Sequence, residues 1–258
     1  MPNSINSAGV VAGYVRENNT RVAALYRGGE VVRLPLPAGA SRSEAVKVNA
    51  GGDAVGYASD EANRSRAMFW PAGGGMTVLS RPEPNVYQAQ VSDIRDDGLM
   101  IGSVSRKDEM KRAYRWNADG AGTFVEGRWS DAMPSAMAGD WVVGSGSTPS
   151  AVEDPDHLPL IGGVRFNLRT GESERMEGFQ SWAVSESGVG YGIVGEAESD
   201  QRAALWYNGR ITELPLRNPT RPWLWSVSGG ITADGRTVVA TTWAGQRGEL
   251  DITRWNCS

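Results

Sequence analysis

One histidine in 258 residues limits the chemistry this chain can do. His157 sits in Glu153-Asp154-Pro155-Asp156-His157. A multi-histidine metal site is excluded, and a Ser-His-Asp triad would have to use this one imidazole. Carboxylates beside it could hold a divalent ion or raise the histidine pKa. The alternating acids ending in glutamate that mark a calcium loop are absent. A solvated acidic loop is the plainer reading, so neither metal nor cofactor is expected. Gly73-Gly74-Gly75 reads as a hairpin turn, because no helix follows to offer its N-terminal amides to a phosphate.

The stronger candidates are aromatic. Tyr87, Trp129, Trp182, Trp223 and Trp225 each stand three to six residues ahead of a recurring Asn or Ser. Polar groups accompany them: Glu44, Lys47, Gln88, Gln90, Arg128, Asp131, Gln180 and Arg221. Aromatic planes with a few convergent polar groups suit a small, partly apolar or glycan-like ligand. Arg128 and Arg221 would pair with a carboxylate or phosphate, while Glu44 and Lys47 face the polar side. Catalysis in the same pocket would need acid/base groups. Glu44, Asp93, Asp131, Glu186 and His157 are the candidates, and two carboxylates roughly 5–10 Å apart would favour glycoside chemistry.

These residues are positioned by a repeat. Ile5-Asn6, Val48-Asn49, Val91-Ser92, Pro134-Ser135, Val184-Ser185 and Val227-Ser228 mark it, with spacings of 43, 43, 43, 50 and 43 residues. A second apolar run follows each mark and ends at Gly13, Gly56, Gly102, Gly144 and Gly195, with Ala240 in the sixth copy. A third ends in an aromatic: Tyr26, Trp70, Trp116, Phe166, Trp206 and Trp255. A fourth short apolar run completes all copies but the last. Runs of four to six residues between Gly and Asn are strands joined by tight turns, and no sustained 3.6-residue period predicts a helix.

Four antiparallel strands repeated six times predict an all-β, six-bladed β-propeller. One domain is expected over 1–258, with repeats near 1–43, 44–86, 87–129, 130–179, 180–222 and 223–258. The sixth blade is expected to have three strands, or an original N-terminus has been lost. The closing aromatics read as wedges between blades, and the glycines as points where blades converge and a Cβ would clash. The fourth copy carries extra residues within 145–163, a Pro-, Ser- and acid-rich surface loop.

In order, the pattern is Val48-Asn49, Ala54-Val55-Gly56, Arg66-Ala67-Met68-Phe69-Trp70 and Val78-Leu79. Arg112-Ala113-Tyr114-Arg115-Trp116 and Arg202-Ala203-Ala204-Leu205-Trp206 repeat the third element. This resembles the HAF-repeat proteins, bacterial extracellular β-propellers named for a His-Ala-Phe tripeptide. Arginine stands where that family has histidine, and the sixth copy lacks the tripeptide. The resemblance implies a propeller and secretion, and it carries over no catalytic residue.

Composition narrows the partners. A net charge of −4 and a pI near 5.2 argue against nucleic acid. No run approaches the roughly 20 apolar residues of a membrane span. The single Cys257 excludes an internal disulfide. MPNSINSAGV has neither the basic start nor the apolar run of a signal peptide, so the chain as written reads as cytoplasmic, or as secreted with its leader removed. A monomer that binds a small-molecule or glycan-like ligand is the preferred reading. A metal-independent cyclase, lyase or glycosidase-type enzyme is the alternative, and a protein-interaction scaffold a third.

Overall fold

The computed structural model describes residues 1–125, 130–147, 162–195, 201–215, 226–243 and 250–257. His157, Trp129, Trp223, Trp225, Arg128 and Arg221 lie outside them, and so does most of the 145–163 loop. The chain divides into two compact units, Met1–Val125 and Glu126–Ser258. All of the regular structure among the described residues is strand.

The first unit holds three antiparallel sheets, each a meander of four strands. The first sheet is β1 (Pro2–Ile5), β2 (Val11–Glu17), β3 (Thr20–Arg27) and β4 (Glu30–Arg33). The second is β5 (Arg42–Val48), β6 (Ala54–Ser59), β7 (Ser65–Trp70) and β8 (Thr77–Val78). The third is β9 (Gln88–Ile94), β10 (Met100–Ser105), β11 (Arg112–Trp116) and β12 (Gly122–Phe124). Their turns are short because the residues in them accept positive φ. Asn18 and Asn19, at 48° and 64°, join β2 to β3 in the mirror-image turn that matches strand twist.

The second unit repeats the plan. Its first sheet is β13 (Ser130–Ala138), β14 (Trp141–Ser147), β15 (Gly162–Asn167) and β16 (Ser173–Met176). Its second is β17 (Phe179–Val184), β18 (Gly190–Val194), β19 (Arg202–Tyr207) and β20 (Arg210–Glu213). Its last has three strands among the described residues: β21 (Ser226–Ile231), β22 (Thr237–Trp243) and β23 (Leu250–Asn256).

The repeat mark ties sheet to sheet. Asn6 Oδ1 accepts from the Val10 N–H at 2.9 Å, closing its own turn. Its Nδ2 donates to the Asn49 carbonyl of the next sheet at 2.8 Å. Asn49 does the same with Asp53 N–H (2.9 Å) and the Arg95 carbonyl (3.4 Å). An amide suits the position because it donates and accepts at once.

The marker glycine has a different cause from the one its sequence suggests. In all six sheets the register between first and second strands slips by one residue at a β-bulge, and in the fourth it does so twice. In the first five sheets the bulge pushes a first-strand carbonyl over the glycine. A Cβ on Gly56 would lie 2.0 Å from the Glu44 oxygen, and one on Gly102 2.0 Å from that of Gln90. The clash is therefore within a sheet, not between sheets. In the fifth sheet the position belongs to Gly192, 1.8 Å from the Gln180 oxygen, and not to Gly195, which follows β18.

The closing aromatics fill the seams. Trp70 and Trp116 are buried, and their indole N–H groups donate to the carbonyls of Pro35 and Ser80, each from the preceding sheet. Phe166 and Trp206 are buried as well. Trp255 is half-buried, and its N–H donates to the Pro215 carbonyl at 2.9 Å. Tyr26 is the exception at 48% exposed, because no sheet precedes the first within its unit. Other apolar residues complete the seam between the first two sheets: Ala12, Ala23, Leu25, Ala45, Val48 and Met68.

Candidate binding site

Above that apolar seam, where β2 turns into β3 and β5 begins, the first two sheets part. They leave a cleft of about 490 Å³ lined by Asn19, Thr20, Arg21, Ser41, Arg42, Ser43, Glu44 and Tyr57. Backbone registers explain the gathering. Glu44 pairs across the sheet with Tyr57, and Arg42 with Ser59. Arg21 is the second residue of β3 and reaches over from the neighbouring sheet.

Glu44 is the hub. Arg21 Nη1 donates to its Oε2 at 2.8 Å, and the Tyr57 hydroxyl donates to the same oxygen at 3.0 Å. Asn3 Nδ2 donates to Oε1 at 2.9 Å and also to the Ala45 carbonyl at 2.9 Å. The Arg21 guanidinium lies 4.8 Å from the centre of the Tyr14 ring, a cation–π contact. Glu44 is largely covered at 13% exposed, whereas Arg21 is open at 45%. Burial, then the negative charge of Glu44 and the hydrogen bond to it, push the Tyr57 phenol above its ordinary value. Tyr57 therefore stays a neutral donor at ordinary pH. The hydrogen bond to Glu44, then its charge, raise the Arg21 pKa. Ser43 Oγ is buried and accepts from the Ala23 N–H at 2.9 Å, fixing β5 against β3.

Of the acids singled out by sequence, Glu44 enters the cleft and Asp93 does not. Asp93 lies near the far end of β9, buried, with Lys47 Nζ 3.4 Å away and the Ile94 N–H on Oδ1 at 2.8 Å. Glu186 is exposed in the turn after β17, at the opposite end of that strand from Gln180. Asp131 is on β13. Gln90 is half-buried on β9, and its carbonyl covers Gly102. Tyr87 is half-buried, and its hydroxyl donates to the Ala62 carbonyl. Trp182 is half-buried and meets the Tyr191 ring edge-on, centroids 6.2 Å apart, against an apolar cluster. Among the described residues no three His, Cys, Asp or Glu side chains are placed to hold a metal ion.

Arg21, Arg42, Tyr57 and Asn3 were not singled out by sequence, yet one signal pointed there. The residue after the marker glycine is Tyr14 and Tyr57 in the first two repeats, but Ser103 and Ser145 in the next two.

No family model matches the chain, and no curated protein matches it in sequence. Solved structures match it over its whole length. The β-propeller domain of the Trilobed protease from Pyrococcus furiosus, described as having an open velcro topology, aligns with 99% of this chain at a TM-score of 0.65 and 9% identity. The chain is a β-propeller. Its six sheets are the blades, the sixth of three strands among the described residues. A puromycin-hydrolyzing peptidase from Mycobacterium tuberculosis aligns with all of the chain at a TM-score of 0.64 and 13% identity. The chain spans 42% of that peptidase and 81% of the Trilobed protease domain.

Proposed function

We propose that this propeller is a binding module whose cleft between the first and second blades takes a hydroxyl-rich, glycan-like small molecule. The observation that carries this reading is Glu44, held by three donors at the wall of a cleft whose volume is in the range of ligand sites. A carboxylate fixed by three donors is a preorganised acceptor for a ligand hydroxyl. Thr20, Asn19 and the remaining N–H groups of Arg21 supply donors around it. Tyr57 offers an aromatic flank at low entropic cost. Glycoside hydrolysis of the usual kind needs two facing carboxyl groups, and Glu44 is the one carboxylate among the described residues that line the cleft. That favours binding over turnover.

A glycan array probed with the whole protein tests this. Retention of a saccharide is expected, weakened at least tenfold in both Glu44→Gln and Arg21→Ala while the melting temperature holds. An array with no retained saccharide, or retention indifferent to both substitutions, would overturn the reading.

A further inference from the structure

The charges in the cleft do not balance. Arg21 is matched by Glu44. Arg42 lines the same cleft, and its Nη2 donates to a neutral acceptor, the Asn63 side-chain oxygen. No ion pair joins Arg42 to a carboxylate among the described residues. The chain has 30 acids against 26 basic residues, so an uncompensated cation in a concave site is not forced by composition. Both guanidiniums line the cleft together with the Tyr57 phenol. They therefore act on one small volume. Each also keeps donors in reserve: a guanidinium carries five N–H groups, and Arg21 gives Nη1 to Glu44 while Arg42 gives Nη2 to Asn63.

We infer that the ligand is an acidic saccharide of the uronic type, its carboxylate seated against Arg42 and Arg21. This rests on the glycan reading of the cleft given above. A planar carboxylate meets the fork of a guanidinium with two parallel hydrogen bonds, and each is roughly twice as strong as a neutral one. The sugar hydroxyls then turn to the other pole, where Glu44 accepts and Thr20 and Asn19 donate. A neutral sugar would leave Arg42 without an anion. An anion without hydroxyls would leave Glu44 facing it with like charge. The two-pole lining selects a molecule that has both.

Isothermal titration of the whole protein with digalacturonate and with galabiose, its neutral counterpart, tests the inference. The two sugars differ at the C6 carboxylate. Digalacturonate is expected to bind at least tenfold tighter at low ionic strength. The preference should shrink as sodium chloride rises, since screening acts on the charged ligand. Arg42→Gln should bring digalacturonate to within about twofold of galabiose, about what loss of one charge-assisted contact predicts. Equal affinities for the two sugars, or a preference that survives Arg42→Gln, would overturn the inference and leave the glycan cleft standing. Failure of any saccharide to bind would overturn both. A triglutamate peptide that binds as tightly as digalacturonate would move the ligand to acidic peptides and overturn the saccharide class.

Discussion

At the seam between the first and second blades an open arginine meets a covered glutamate and tyrosine rings. At the seam between the fourth and fifth a covered arginine meets two indoles and a half-exposed glutamate. Arg165 is 4% exposed. Its guanidinium lies 4.1 Å from the centre of the Trp141 ring and 4.5 Å from that of Trp206. Its Nε donates to Glu174 Oε1 at 2.6 Å, and its Nη1 donates to the Gly188 carbonyl. Rings, carboxylate and carbonyl leave Arg165 little surface for a ligand. Arg21 has one ring, one carboxylate and a flank in solvent. The difference shows how one set of side chains serves two ends. Surrounded, the cation is part of the packing. Left open on one side and fixed on the other, it is free to act as the recognition group proposed above.

The largest effect that could break this comparison is in stability. Arg165→Ala should destabilise by about 2–5 kcal/mol, the usual cost of the cavity left by a large buried side chain. Chemical denaturation measures it, and a loss under roughly 1 kcal/mol would mean that Arg165 is no more covered than Arg21. Arg21→Ala in the same assay should leave the denaturation midpoint nearly unchanged, because Arg21 is open to solvent and Asn3 and Tyr57 still hold Glu44, while weakening saccharide binding at least tenfold. Large losses from both substitutions would erase the distinction.

A smaller effect sharpens it. The folded-state pKa of Tyr57 is raised, by burial first and then by Glu44. The stability linked to this phenol is therefore whole below its unfolded value of about 10 and is lost as pH rises through the folded value. Tyr57→Phe should flatten part of the fall in denaturation midpoint as pH rises above about 10. Tyr114, also raised by burial, keeps its own share of that slope. An identical alkaline slope in the variant would show that Tyr57 is not held as the geometry implies.

The fold was legible because its causes recur. Asn6 and Asn49 mark equivalent turns, and Trp70 and Trp116 equivalent wedges, so spacing alone exposed the blades. The fifth glycine was misplaced because Gly190, Gly192 and Gly195 all lie within one short stretch. Only the bulge opposite Ser181 selects Gly192. The site was legible in one residue, Glu44. Its partners come from separate segments: Tyr57 from β6 across the same sheet, and Asn3 from β1 and Arg21 from β3, which arrive only when blades stack. No local pattern encodes that meeting. The aromatic bias toward the later repeats drew attention to Trp182, which is packed on Tyr191 and its neighbours. The departure of Tyr14 and Tyr57 from the repeat was the quieter and more useful sign.

The most direct measurement follows tyrosine ring signals by NMR in the carbon-13-labelled protein during titration with digalacturonate. Tyr57 lines the cleft, Tyr14 underlies Arg21, and Tyr191 lies beside Trp182. The account predicts saturable shifts at Tyr57 and Tyr14, with Tyr191 unmoved. Shifts at Tyr191 with Tyr57 and Tyr14 silent would contradict it and place the ligand beside Trp182 instead.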